Sequence, residues 1–104
     1  MQTMDHPNVA KVIEYEYSAR EGQTRHYLVE QYVDGSDLSQ HLEGSGPWTI
    51  GDIKSVFVPL CEGLAALAHN NIVHRDLKPS NVRIMPSGNP VIIDFGLARL
   101  LDME

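Results

Sequence analysis

The strongest pattern in the sequence is a row of apolar residues between Thr49 and Asn71 that recur three and four positions apart. The row comprises Ile53, Val56, Phe57, Leu60, Leu64 and Leu67. This spacing predicts an amphipathic helix with one buried face, and Thr49 followed three residues later by Asp52 predicts a capping box at its start. Pro59 lacks a backbone donor, so we expect a kink one turn earlier, near Ser55.

Short apolar runs on both sides of this helix predict strands. The expected strands cover 12–17, 27–33, 82–85 and 91–93, and a short helix is expected over 37–42. A polar turn at 18–25 would join the first two strands into an antiparallel hairpin. Because strands precede and follow one long helix, the order predicts an α+β fold rather than repeating βαβ units.

The charge of the chain is acidic and unevenly distributed. The 104 residues carry a formal net charge of −6, and residues 1–52 hold nine acidic but only three basic side chains. Such a chain is a poor candidate for binding nucleic acid or an anionic membrane through bulk charge, so neither partner is expected.

The single cysteine and the lack of long apolar runs limit the cellular setting. Cys61 alone excludes an internal disulfide, and its apolar neighbours predict a buried, unreactive thiol. No apolar run approaches the ~20 residues that cross a bilayer, and no signal-peptide pattern is present. We therefore expect a cytoplasmic location, although a membrane anchor outside these residues would be compatible with it.

The densest group of polar residues is HRDLKPSN at 74–81, followed thirteen residues after its end by DFG at 94–96. Two short apolar strands each end in a polar group here, so Asn81 and Asp94 can lie close together on neighbouring elements. An amide oxygen beside a carboxylate is a hard oxygen pair suited to Mg²⁺ that carries phosphate oxygens.

Two further residues of the polar group have side chains suited to phosphoryl transfer. Asp76 is expected in a loop, where its carboxylate could accept the proton of a substrate hydroxyl. Lys78 falls on the same side if the loop is extended, and its ammonium could offset the charge of a transferring phosphoryl group.

These two motifs resemble the catalytic loop and the metal-binding triplet of eukaryotic-type protein kinases. HPN at 6–8 resembles the turn after the regulatory helix of that family, and 27–38 resembles its last N-lobe strand, hinge and next helix start. The resemblance covers nearly the whole chain. It implies a partial protein-kinase-like fold in which 1–33 form the end of the N-lobe sheet and the hinge, and 34–104 the first part of the helical C-lobe.

The resemblance implies a role for each residue of the loop and triplet. Asp76 would be the catalytic base, Lys78 would contact the transferring phosphate, and Asn81 and Asp94 would bind Mg²⁺. Lysine at 78 followed by Pro79 resembles the serine/threonine branch of the family. The implied cofactors are ATP and Mg²⁺, and the implied partner is a protein with a serine or threonine acceptor.

The resemblance also implies a nucleotide pocket. Backbone groups of Gln31 and Val33 would hydrogen-bond adenine, Asp37 would meet the ribose, and Arg83 would occupy the floor beneath adenine, where the family usually has an aliphatic residue. Glu30 is similarly unusual just before the hinge. We expect Glu30 and Arg83 to face one pocket and to compensate each other's charge in part. The alternative is that Glu30 points to solvent.

Some parts of the family pattern are missing from the sequence. It contains no Gly-x-Gly-x-x-Gly, and Lys11 follows the HPN turn, whereas the family places its nucleotide-binding lysine before that turn. We therefore expect a central fragment of a serine/threonine kinase domain, inactive as an isolated chain and with exposed apolar patches. The alternative is a non-catalytic pseudokinase or interaction module, or an inactive truncated gene product.

Overall fold

The computed structural model describes residues 5–44, 46–72 and 77–93. The elements in chain order are β1 (Val12–Arg20), β2 (Gln23–Glu30), β3 (Ser36–Asp37), α1 (Leu38–Gly44), α2 (Ile50–His69), β4 (Val82–Ile84) and β5 (Pro90–Ile92), with a 3-10 turn at Pro79–Asn81. Strands before and after the long helix give the α+β class that the sequence predicts, and this prediction is confirmed.

The hairpin of β1 and β2 is longer than predicted. Its antiparallel register continues to the pair of Arg20 and Gln23, and the connecting turn is only Glu21 and Gly22. Both turn residues have positive φ, 51° and 76°, as a two-residue turn of type I′ requires. The expected turn at 18–25 was too wide because polar residues on an exposed ribbon give no apolar alternation from which a strand can be predicted.

A second, three-stranded sheet has the order β3-β4-β5 with antiparallel neighbours. The segment before β1 joins the free side of β5, because Ala10 N donates to Ile92 O at 2.9 Å and Ile92 N donates to Asn8 O at 2.8 Å. This contact ties the start of the hairpin to the small sheet.

Two asparagines fix this junction from both sides. Asn8 is 3% exposed, and its side-chain amide donates to Asn89 Oδ1 and to the Pro90 carbonyl, both at 2.9 Å. Asn89 Nδ2 in turn donates to the Pro7 carbonyl at 2.9 Å. The HPN turn is therefore locked to the turn between β4 and β5.

Helix α2 begins with the predicted capping box. Asp52 N donates to Thr49 Oγ1 at 3.1 Å, and Thr49 N donates to Asp52 Oδ2 at 2.9 Å. The hydrogen bonds from the backbone and side chain of Thr49 hold the pKa of Asp52 below its ordinary value of 3.8, with a smaller contribution from the charge of His41. The helix runs through Pro59 without a break in its assignment, and the kink near Ser55 stays a prediction.

Only part of the predicted apolar stripe of α2 is buried. The buried residues of the helix are Val56, Leu60, Gly63 and Leu67, which pack toward the small sheet. Two residues of the predicted stripe, Ile53 and Phe57, remain 45% and 41% exposed. The main core combines this face with residues of α1, β4 and β5 and with Ile72. Cys61 is exposed, so the expectation of a buried thiol was wrong: the residue lies one position past Leu60, off the buried face.

No helix in the described part of the chain is long and apolar enough to cross a membrane.

Candidate active site

The segment 31–35 leaves β2 and connects the hairpin to β3. Its first residue is fixed to the segment before β1, because Gln31 N donates to Lys11 O at 2.7 Å and Lys11 N donates to Gln31 Oε1 at 3.2 Å. These bonds use the amide N–H and the side chain of Gln31. The backbone carbonyl and the side-chain Nε2 are then the groups that Gln31 can offer to a ligand.

An open cavity of about 230 Å³ lies against this segment. Its lining residues are Glu30, Gln31, Tyr32, Val33, Arg83 and Ile93. Three of the residues predicted to bind the nucleotide therefore line one space, although they come from positions 31, 33 and 83 of the chain. Its volume is below the ~300–1,000 Å³ of sites for drug-sized ligands.

Val33 presents a backbone donor at this cavity. The residue is 7% exposed, and its amide makes no hydrogen bond with the described residues. A buried backbone donor without a partner costs free energy, so a ligand acceptor at this position would stabilise it.

Arg83 lies on β4 directly opposite Asp37 of β3, at the edge of the cavity. Arg83 Nη1 donates to the Gly35 carbonyl at 3.3 Å, which connects β4 to the segment that leads into β3. Glu30 and Arg83 both line the cavity, as expected, and their mutual charge compensation stays a prediction.

Asp37 has a structural role that the sequence reasoning missed. Gln40 N donates to Asp37 Oδ1 at 2.9 Å, and Asp37 N donates to Gln40 Oε1 at 3.2 Å. This reciprocal pair caps the start of α1. An acidic residue followed three positions later by glutamine is the signal that could have revealed it. The cap uses one carboxylate oxygen, so a ribose contact would have to involve the other.

Gly35 is a second residue that the sequence reasoning missed. Its φ is +131°, and a Cβ built on it would collide with the backbone carbonyl of Ile84. Only glycine allows the segment after the cavity to lie this close to β4. A glycine directly after aspartate at the end of a predicted strand is a turn signal, but it does not reveal which strand the turn contacts.

The predicted metal ligand Asn81 is buried, with 7% of its surface exposed. Its backbone connects two parts of the site. Asn81 N donates to Lys78 O within the 3-10 turn, and Ile93 N donates to Asn81 O, each at 2.9 Å. Ile93 lines the cavity and precedes Asp94 in the sequence. The backbone at Asn81 is thus hydrogen-bonded to the residue before the other predicted ligand.

The remaining catalytic residues are only partly covered by the structure. Lys78 is exposed and has extended backbone before the 3-10 turn, and its catalytic role stays a prediction. Asp76 and Asp94 lie outside the described residues, and their roles stay predictions. Within the described ranges, no group of three histidine, cysteine, aspartate or glutamate side chains could hold a metal ion.

Comparison with known proteins tests the resemblance independently. The family model of the protein kinase domain matches residues 1–104. The chain belongs to this family. Relatives of this kinase chain include PrkC, a serine/threonine-protein kinase of Bacillus subtilis, which is 32% identical over 95% of the chain. PkaA, a serine/threonine-protein kinase of Streptomyces coelicolor, is 36% identical over the same share.

A eukaryotic kinase is also similar. Cyclin-dependent kinase 4 of Xenopus laevis is 38% identical over 100% of the chain. The chain spans 15% of PrkC, 18% of PkaA and 33% of the Xenopus kinase. Membership of the protein kinase superfamily, and the partial kinase fold it implies, are confirmed.

Proposed function

We propose that this chain carries the hinge, catalytic loop and metal-binding triplet of a protein kinase that transfers the γ-phosphate of ATP to serine or threonine hydroxyls of a protein. The observation that carries the proposal is the cavity that Gln31, Val33 and Arg83 line together. Support also comes from the serine/threonine kinases among its relatives.

In this proposal the adenine ring occupies the cavity beside the hinge. The Gln31 carbonyl accepts a hydrogen bond from the base and the Val33 amide donates one to it. The aliphatic stem of Arg83 covers one face of the ring, while its guanidinium stays with the Gly35 carbonyl. The free carboxylate oxygen of Asp37 meets the ribose.

Phosphoryl transfer depends on the residues that follow α2. Asp76 holds the substrate hydroxyl and accepts its proton, and Lys78 offsets negative charge on the transferring group. The amide oxygen of Asn81 and the carboxylate of Asp94 are hard donors that fit Mg²⁺. When bound, the metal would neutralise charge on the phosphate oxygens. The glycine-rich loop and strand lysine that complete such a site in the family do not occur in these 104 residues, so the isolated chain is proposed to be inactive.

The test is phosphoryl transfer by the protein expressed from its complete open reading frame. With Mg²⁺, γ-labelled ATP and a general protein substrate, label is expected on phosphoserine or phosphothreonine, and a chelator of Mg²⁺ should abolish it. A folded protein that binds ATP but transfers no phosphate under any of these conditions would contradict the proposal.

A non-catalytic pseudokinase is the second candidate, because Glu30 and Arg83 place charged groups where the family usually has apolar ones. The reading frame upstream of Met1 discriminates between the two. A glycine-rich loop, a strand lysine and a helix glutamate encoded there would favour the active kinase. Their absence from the complete gene would favour the binding module.

A further inference from the structure

An aspartate followed by glycine lies in the segment 31–35, between the cavity and β3. Asp34-Gly35 is the only pair in the 104 residues in which glycine follows aspartate or asparagine. We propose that Asp34 is a modification site, at which the folded protein converts aspartate to isoaspartate through a cyclic succinimide. The reaction needs neither an enzyme nor a cofactor, and the inference is independent of the proposed kinase function.

The structure brings the two reacting groups together. The Gly35 amide donates to Asp34 Oδ1 at 2.9 Å, so the side-chain carboxyl group lies beside the backbone nitrogen that attacks it. This amide donates to no backbone acceptor among the described residues, so no strand ladder or helix holds it. Both residues are exposed, so water can reach the carboxyl group and the ring. Close approach of the reacting groups is what accelerates an intramolecular step.

The conversion takes two steps that balance without an oxidant or a reductant. In the first, the Gly35 nitrogen forms a bond to Cγ of Asp34, and one carboxyl oxygen leaves as water with the amide hydrogen and a proton from solvent. In the second, water attacks the ring carbonyl that came from the main chain of Asp34 and breaks its bond to the nitrogen. The α-carboxylate and a proton are released, and the main chain then runs through Cβ and Cγ.

Two other aspartates in the described part of the chain, Asp37 and Asp52, lack this arrangement. Each precedes a branched apolar residue, whose side chain crowds the attacking nitrogen, whereas Gly35 has no Cβ. The carboxylates of Asp37 and Asp52 also accept hydrogen bonds from amides of capping partners and not from the residue that follows them. Asp34 is therefore the position at which isoaspartate should accumulate.

The added group falls where the segment has no room for it. Isoaspartate lengthens the main chain by one methylene group directly before Gly35, which lies so close to the Ile84 carbonyl that a Cβ would collide with it. The pairing of Ser36 with Ile84 begins at the next residue. Isomerisation should therefore displace Gly35 from β4, weaken the bond from Arg83 to the Gly35 carbonyl and lower the stability of the protein.

The experiment incubates the protein expressed from its complete open reading frame in native buffer at neutral pH. Peptide mapping with fragmentation that distinguishes isoaspartate from aspartate measures the product. We expect at least about tenfold more isoaspartate at Asp34 than at Asp37 or Asp52, because only Asp34 has an uncrowded nitrogen beside its carboxyl group. The melting temperature should fall as isoaspartate accumulates. Equal amounts at the three aspartates would overturn the proposal.

Asp34→Glu is the matched control, because it keeps the charge and would need a six-membered ring, which closes far more slowly. This variant should keep its melting temperature over the same incubation. An equal loss of melting temperature in the variant would contradict the structural effect of isomerisation. A parallel incubation in denaturant tests the folded geometry, since isoaspartate at Asp34 should form in the folded protein as well as in the unfolded chain. Formation in the unfolded chain alone would refute the proposal for the folded protein.

Discussion

At the residue scale, several residues have structural roles that their residue type alone does not predict. Gly35 allows the segment 31–35 to approach β4, and Asn8 bonds to Asn89 and Pro90 across a separation of more than eighty positions. Asp37 caps α1 and also faces Arg83 across the sheet. Each of these residues fixes the position of a neighbouring segment through its contacts.

Gly35→Ala should destabilise the protein by about 2–4 kcal/mol, because the Cβ meets the Ile84 carbonyl and φ is +131°. ATP affinity should fall as well, since the Gly35 carbonyl holds Arg83. Denaturant unfolding and nucleotide titration measure the two effects.

Gly88→Ala is the control for this variant. Gly88 also has positive φ, +91°, but an added Cβ has no atom within 4 Å. It should cost only the backbone strain, about 1 kcal/mol, and leave ATP affinity unchanged. Equal destabilisation in the two variants would show that the close approach of Gly35 to β4 adds nothing to the cost of the substitution.

At the element scale, α2 packs against the rest of the core through one narrow face. Gly63 lies on that face, where a Cβ would be 2.9 Å from Asn8 O and 3.2 Å from Ile92 Cδ1. At this position the helix therefore lies so close to the HPN turn and β5 that any residue larger than glycine would clash. Ile53 and Phe57 extend the apolar surface of the helix beyond this buried face and remain exposed.

Gly63→Ala and Gly51→Ala form a matched pair on this helix. Alanine is the better helix former, so Gly51→Ala, whose Cβ would meet only Thr49 Oγ1 at 3.6 Å, should stabilise the protein by about 0.5 kcal/mol. Gly63→Ala should instead destabilise it by about 1–2 kcal/mol, because overpacking outweighs the gain in propensity. Stabilisation by both variants in denaturant unfolding would contradict the close packing at Gly63.

The capping box of α2 predicts that the stability of the folded protein depends on pH. The pKa of Asp52 is lower in the folded protein than its ordinary value of 3.8, so its contribution to stability is complete above that value. It is lost as the pH falls through the lowered, folded-state pKa. The difference in melting temperature between wild type and Asp52→Asn should therefore be constant above about pH 5 and shrink below about pH 4. A difference that stays constant down to pH 2 would contradict this assignment.

The periodic elements could be predicted from the sequence, and the contacts between distant segments could not. Apolar spacing located α2 and the strands around it, and the Thr49–Asp52 signal located the cap. The two-residue β3 is too short for a pattern, and its pairing with β4 depends on the turn at Gly35. Gln31, Val33 and Arg83 line one cavity, but no sequence pattern predicts the hydrogen bond from Arg83 to the Gly35 carbonyl, because the two residues are 48 positions apart.

At the scale of the whole molecule, backbone hydrogen bonds connect three parts of the candidate site. Residues 31–33 line a cavity, Ile93 connects that cavity to the backbone of Asn81, and the 3-10 turn connects Asn81 to Lys78. Residues 1–104 match the protein kinase domain, and the proposed function gives these parts their roles. The proposed function therefore depends on whether the loop before Asn81 supports phosphoryl transfer.

The most direct test is Asp76→Asn in the protein expressed from its complete open reading frame. The variant should bind Mg·ATP with wild-type affinity, because the base cavity is untouched, and should transfer phosphate at least about 100-fold more slowly, since the proton acceptor is lost. Lys11→Met is the control, because Lys11 is exposed and bonds through its backbone. Transfer by Asp76→Asn at the wild-type rate would contradict the account.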